Sequence, residues 1–108
     1  MPKNIPEPKA LIQFKKEIRK LYGKRLKKLI LFGSWARKEA TEDSDVDLMV
    51  VLAGKVVPGE EIDRMIDIIT DINLAHGVLL SVFPVSANDY ASLKSPLLMN
   101  VRKEGVAA

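Results

Sequence analysis

The chain has 108 residues and 12.0 kDa, enough for one small hydrophobic core and too little for two, so a single domain over residues 1–108 is expected. Apolar residues at 47% and charged residues at 29% exclude a disordered chain, and no apolar run nears the roughly 20 residues of a membrane span. Zero cysteines exclude disulfides and thiolate metal sites and suit a cytoplasmic setting, and "MPKNIPEPKA" lacks the apolar segment of a signal peptide.

The formal charge of +3 is unevenly spread. Residues 1–30 carry ten Lys/Arg against two Glu, whereas residues 31–108 carry seven against twelve acids. The first helix, "PEPKALIQFKKEIRKLYGKR", accounts for most of the excess. Leu11, Phe14, Ile18 and Leu21 form one apolar stripe there, lysines lie opposite, and Gly23 is the stop. The basic excess reads as the solvated face of this helix. It lacks the interleaved aromatics that stack on single-stranded bases, so no nucleic-acid partner is expected.

A short strand, Leu29 to Phe32, ends at Gly33. "SWARKEA" then reads as one or two helical turns opened by Ser34 as a cap, and "TEDSD" as a polar loop. "VDLMVVLAG" is a second strand, with Val46, Leu48 and Val50 on one face. Asp47, Met49 and Val51 take the other face, which continues back to Asp45. "PGEEIDRMIDIITDINLAHG" is the longest helix, and its acids Glu60, Glu61, Asp63, Asp67 and Asp71 read as a solvated face. "VLLSVFPVS" is a third strand. Ser86 with Asp89 caps a short helix, and Ser95-Pro96 starts the last one, closed by Gly105. This order gives an α/β (α+β) sandwich, a small mixed sheet flanked by helices.

Two features carry chemistry. The Gly33-Ser34 turn offers backbone N–H groups, a hydroxyl and close main-chain approach to an anion. Asp45 and Asp47 project from one face about 7 Å apart at the backbone, where their carboxylates can converge on a hard cation such as magnesium. Each is weak alone. Together they outline a triphosphate–magnesium site.

In this combination, "GSWARKEATEDSDVDLMV" resembles the signature of the polymerase-beta-like nucleotidyltransferase superfamily, in particular its minimal nucleotidyltransferase branch of antitoxin type. Gly33, Ser34, Ala36, Arg37, Ala40, Ser44, Asp45, Asp47 and Leu48 match in place, and "SPLLMNVRKEGV" looks like the C-terminal helix of such proteins. The resemblance implies that fold, with Gly33 and Ser34 on the nucleotide phosphates and Asp45 and Asp47 as catalytic magnesium ligands for two ions. Arg37 is left between a phosphate contact and a pair with an acidic loop residue. It further implies transfer of a nucleoside monophosphate, AMP from ATP, to a hydroxyl acceptor with release of pyrophosphate. The acceptor would come from another chain, a HEPN-type toxin, and homodimerisation is open.

Two positions depart from the signature. Lys38 stands where glycine is usual. The third carboxylate that active members carry on a later strand is replaced at the corresponding position by Ser81, which is no base at neutral pH. A water relay or a partner's carboxylate would then substitute. The alternative is a non-catalytic NTP-binding antitoxin that neutralises its partner by complex formation. His76 reads as a helix-terminal residue suited to the dipole, and Trp35 as a packing or partner-facing residue rather than a base-stacking one.

Overall fold

The computed structural model describes residues 9–41 and 44–108. The expected helix start at Pro6–Pro8 and the Glu42–Asp43 part of the loop lie outside the described residues.

Helix α1 (Lys9–Tyr22) buries Ala10, Leu11, Phe14 and Ile18, with Arg19 and Lys20 in its last turn. Leu21 was expected on that stripe but is 42% exposed. Four residues on from Ile18 lies Tyr22, which packs on the core instead, because a helix stripe continues at i+4 as readily as at i+3. After a single 3-10 turn, Gly23–Arg25, strand β1 (Leu26–Phe32) begins three residues earlier than its apolar run. Helix α2 (Gly33–Ala36) leads through the loop to strand β2 (Val46–Leu52).

Helix α3 (Pro58–His76) opens with proline at its start and Glu60 and Glu61 in its first turn, and ends at Gly77 with φ +63°. Strand β3 (Leu80–Ser86) follows. Helices α4 (Ala87–Ser92) and α5 (Pro96–Glu104) have the expected serine caps: Ser86 Oγ accepts from Asp89 N, and Ser95 Oγ from Leu98 N, both at 3.1 Å. A two-residue strand β4 (Val106–Ala107), absent from the sequence reading, closes the chain.

The sheet is mixed, in the order β3-β2-β1-β4. β2 pairs antiparallel with β1 and parallel with β3, and β1 pairs antiparallel with β4. Being central, β2 is apolar on both faces. Val46, Leu48, Val50 and Leu52 pack with Phe14 and Ile18 of α1 and Met65, Ile69 and Ile72 of α3. Met49 and Val51 pack with Ile30, Phe32 and the α5 residues Leu98 and Val101 on the other side. Asp45 and Asp47 belong to this second face by strand alternation, but lie where β2 begins.

Glu61, expected on a solvated face, is 3% exposed. Its Oε1 accepts from Tyr22 Oη at 2.8 Å and its Oε2 from Arg25 Nη2 at 2.9 Å. Arg25 also donates to the carbonyls of Ala53 and Lys55, at 3.1 and 2.7 Å. One carboxylate thereby ties the end of α1, the start of β1 and the loop before α3 together. Burial alone would raise the Glu61 pKa, but the hydrogen bonds from Arg25 and Tyr22 outweigh it and hold the carboxyl below its ordinary 4.5. Among the described residues no helix is long and apolar enough to cross a membrane.

Candidate active site

The site is built on the connection between two paired antiparallel strands. β1 ends at Phe32, which stands opposite Asp47 in the register. The chain then turns sharply at Gly33, φ +72°, a conformation that suits glycine because no Cβ is present to clash. A second reason for glycine lies across the turn. A Cβ built on Gly33 would collide with Asp47 Oδ2 and lie 3.2 Å from Asp47 Cγ. The Asp47 carboxylate is therefore seated directly against the bare backbone of the turn.

Ser34 lies inside α2 rather than capping it. The N-cap position belongs to Phe32, whose side chain has nothing to accept with, and no side-chain cap bond is made. The short helix is closed by its backbone, with Arg37 N donating to Gly33 O at 3.1 Å and Glu39 N to Ser34 O at 2.9 Å. Lys38 follows with φ +61°. A side chain thus occupies a left-handed position, the conformation for which glycine is the usual residue.

Arg37 pairs with acids. Its Nε donates to Glu39 Oε1 at 2.9 Å and its Nη1 to Glu104 Oε1 at 3.1 Å, joining the turn to the end of α5. The pair with Glu39 is the loop pairing left open in the sequence reading; that with Glu104, 67 residues away, had no local signal. Trp35 packs on the α1/α3 side of the core, and its Nε1 makes a long 3.5 Å contact to Ser44 O. Ser44 Oγ accepts from Thr41 N at 2.9 Å, and Ser44 N donates to Thr41 O at 3.1 Å. These bonds fix the backbone just before Asp45. His76 lies at the end of α3 as read, its Nε2 2.8 Å from Gln13 Oε1.

Asp45 is exposed and Asp47 half-buried. Burial and then the charge of Asp45 raise the Asp47 pKa, and Arg37 offsets them only in part. The two carboxylates thus repel, and a bound cation would relieve that repulsion. Two hard carboxylate donors beside the bare backbone of Gly33 would suit magnesium better than a softer metal. On the other flank of Asp47, β3 places Ser81 directly beside it in the parallel register. Phe83, two residues on, lies 5.6 Å from Phe32 between ring centroids, so Ser81 and Asp47 share a face. Among the described residues, no group of three or more His, Cys, Asp or Glu is placed to hold a metal.

Residues 11–93 match the profile of the family described as "Nucleotidyltransferase domain". The chain belongs to this nucleotidyltransferase family. Two similar proteins of Methanocaldococcus jannaschii carry the names "Putative protein adenylyltransferase MJ0604" and "Putative protein adenylyltransferase MJ1305". The first is 40% identical over 75 residues, covering 69% of each chain. The second is 38% identical over 96 residues, covering 84% of this nucleotidyltransferase but only 63% of the relative.

Two solved structures share the fold. One, described as a toxin-antitoxin with AMP-PNP, superposes with TM-score 0.62 at 16% identity over 91% of this chain and 68% of its own. The other, described as a putative nucleotidyltransferase from Sulfolobus solfataricus, gives TM-score 0.52 at 15% identity over 96% and 90%. At these identities the likeness is one of fold, and it agrees with the mixed sheet and its flanking helices. The family expected from "GSWARKEATEDSDVDLMV" is the family found.

Proposed function

We propose that this nucleotidyltransferase transfers AMP from ATP to a hydroxyl on a partner protein. The observation that carries this reading is the Asp47 carboxylate seated on the Gly33 turn, with Asp45 two residues before it. The names of the relatives support protein as the acceptor, and the AMP-PNP and toxin-antitoxin of the structural neighbour support an adenine nucleotide and a toxin partner. A HEPN-type toxin is the partner proposed, and the cytoplasm, where ATP is available, is the proposed setting.

The backbone N–H groups of Gly33 and Ser34 bind the outer phosphates, and Arg37 leaves its carboxylate partners to join them. Asp45 and Asp47 would hold magnesium, which when bound would neutralise charge on the triphosphate. The acceptor oxygen bonds to the α-phosphorus, the bond from that phosphorus to the β-bridging oxygen breaks, and pyrophosphate leaves. Ser81 is no base, so the hydroxyl proton passes to water or to a carboxylate of the acceptor protein.

The test incubates the protein with α-labelled ATP, magnesium and the protein encoded beside it. Label is expected on the partner, and Asp45→Asn or Asp47→Asn should reduce it to background. Equal labelling by the variants would reject the carboxylate assignment. The Ser81 position favours one second reading, an NTP-binding antitoxin that neutralises by complex formation alone. On that reading no label transfers, and Asp45→Asn/Asp47→Asn neutralises the toxin as well as the wild type does.

A further inference from the structure

On the β3 side the site opens into an apolar groove that the phosphates and magnesium leave unused. The groove, of about 350 Å³, runs along β3 between the start of α3 and the start of α5. It begins one pleat from the reacting groups. Phe83 follows Ser81 and Met49 follows Asp47, each by two residues and so on the same face of the sheet. Phe83 is 38% exposed, and Leu97 of α5, which also lines the groove, 39%. No charged side chain lines it among the described residues, and its one polar side chain, Ser95, accepts from Leu98 N as the cap of α5.

The strand beneath narrows what can enter. β3 is the edge of the sheet on this side. Leu79 O accepts from Val46 N of β2, whereas Leu80 N turns to Asn73 Oδ1 of α3. Backbone groups alternate along a strand, so odd-numbered residues of β3 face β2 and even-numbered ones face outward. Pro84 is one of the outward ones and has no N–H. The row of donors that an added strand would need is therefore interrupted, and a partner engages this region through its side chains. Adenine fits poorly, because its ring nitrogens and amino group would leave water and meet only the capping serine hydroxyl. An apolar side chain carries no such cost.

We infer that this groove selects the acceptor: the hydroxyl residue to be modified lies beside Ser81, in an extended segment whose next side chain on the same side is apolar and rests on Phe83 and Leu97. The inference rests on the adenylyl-transfer reading of the site. On that reading the nucleotide takes the Gly33 flank of Asp47, which leaves the Ser81 flank to the acceptor. Side chains two residues apart in an extended segment are about 7 Å apart, the same repeat that separates Ser81 from Phe83, so one segment spans both. The substrate class is a polypeptide with Tyr, Ser or Thr two residues from a large apolar side chain.

The test uses the full chain, ATP and magnesium with the protein encoded beside it, and follows transfer at varied acceptor concentration. Phe83→Thr and Leu97→Gln should each raise the KM for the acceptor about tenfold, more than they change kcat, with calorimetric affinity for AMP-PNP within twofold of wild type. Both side chains are partly exposed, and unchanged circular dichroism confirms that the variants fold. Mass spectrometry should locate the label on a hydroxyl residue with an apolar residue two positions away. Replacing that apolar residue by Ser should cost the wild type about tenfold and Phe83→Thr little more, because both changes remove one contact. No label on the partner from the wild-type protein would end the adenylyl-transfer reading and this inference with it. Label transferred with an unchanged acceptor KM in both variants, or additive losses when the two changes are combined, would overturn the inference alone. So would a loss of AMP-PNP affinity in Phe83→Thr, because the groove would then hold the base.

Discussion

Gly33 and Lys38 bracket the turn between β1 and the loop, and both sit at positive φ. At Gly33 two separate constraints require the absence of a side chain, the backbone conformation and the neighbouring Asp47 carboxylate. Gly33→Ala should therefore displace Asp47, and a shift of an ångström at a reacting centre costs on the order of a hundredfold in rate. The expected outcome is that transfer falls by about that factor while the fold persists, with a stability loss of about 1–2 kcal/mol. Steady-state labelling beside thermal melting checks it; an unaffected rate would separate Asp47 from the chemistry. At Lys38 the conformation speaks alone, and the residue is exposed. Lys38→Gly should leave stability unchanged or raise it by up to about 1 kcal/mol, the relief of left-handed strain being partly offset by the freer unfolded chain. A clear drop in urea midpoint would show that the side chain makes a contact of its own. The sequence singled out Lys38 as a departure from glycine, and the positive φ is the physical form of that departure.

The joint between α1, β1 and α3 rests on Glu61. With its side chain 5% exposed and Arg25 at 31%, Glu61→Ala should cost about 2–3 kcal/mol, below a fully buried pair because Arg25 still reaches water and two carbonyls. Its pH dependence has two limits. Glu61 has a pKa held below 4.5, so its contribution is complete above that value and is lost as pH falls through the folded-state pKa. Tyr22 is shifted the other way, upward from 10.0, by burial first and then by its hydrogen bond to Glu61. Its contribution is complete below pH 10 and is lost as pH rises further. Melting temperature followed against pH should fall at both ends in the wild type and lose part of each slope in Glu61→Ala. Parallel curves would place the pH dependence elsewhere.

For the molecule as a whole, what the sequence disclosed was set by distance along the chain. Helices α1 and α3, the Ser86 and Ser95 caps and strand β2 follow from periodicity and local turn chemistry. The closeness of Gly33 and Asp47 was equally legible, because the two belong to one joint motif that spans the end of β1 and the start of β2. The Tyr22, Arg25 and Glu61 cluster was not, since the burial of a glutamate on a helix depends on partners 36 and 39 residues away. The Arg37–Glu104 pair and β4 were missed for the same reason: a two-residue strand has no periodicity, and its partner is β1. Removing charge repulsion has a global effect as well. Asp47→Asn should melt at or above the wild-type temperature while inactive, because Asp45 and burial both disfavour the Asp47 charge in the folded protein.

The placement of the site between β1 and β2 also orders its assembly in time. During synthesis, the turn and both carboxylates emerge together, before any of α3 or β3 exists. Two antiparallel strands joined by a short connection close at small entropic cost, whereas the parallel strand bearing Ser81 must wait for the crossover through α3. Gly33 and Asp47 are thus both present in the chain before the strand that lies on the other flank of Asp47. The residue that most distinguishes this site, Ser81, is the last of its members to arrive.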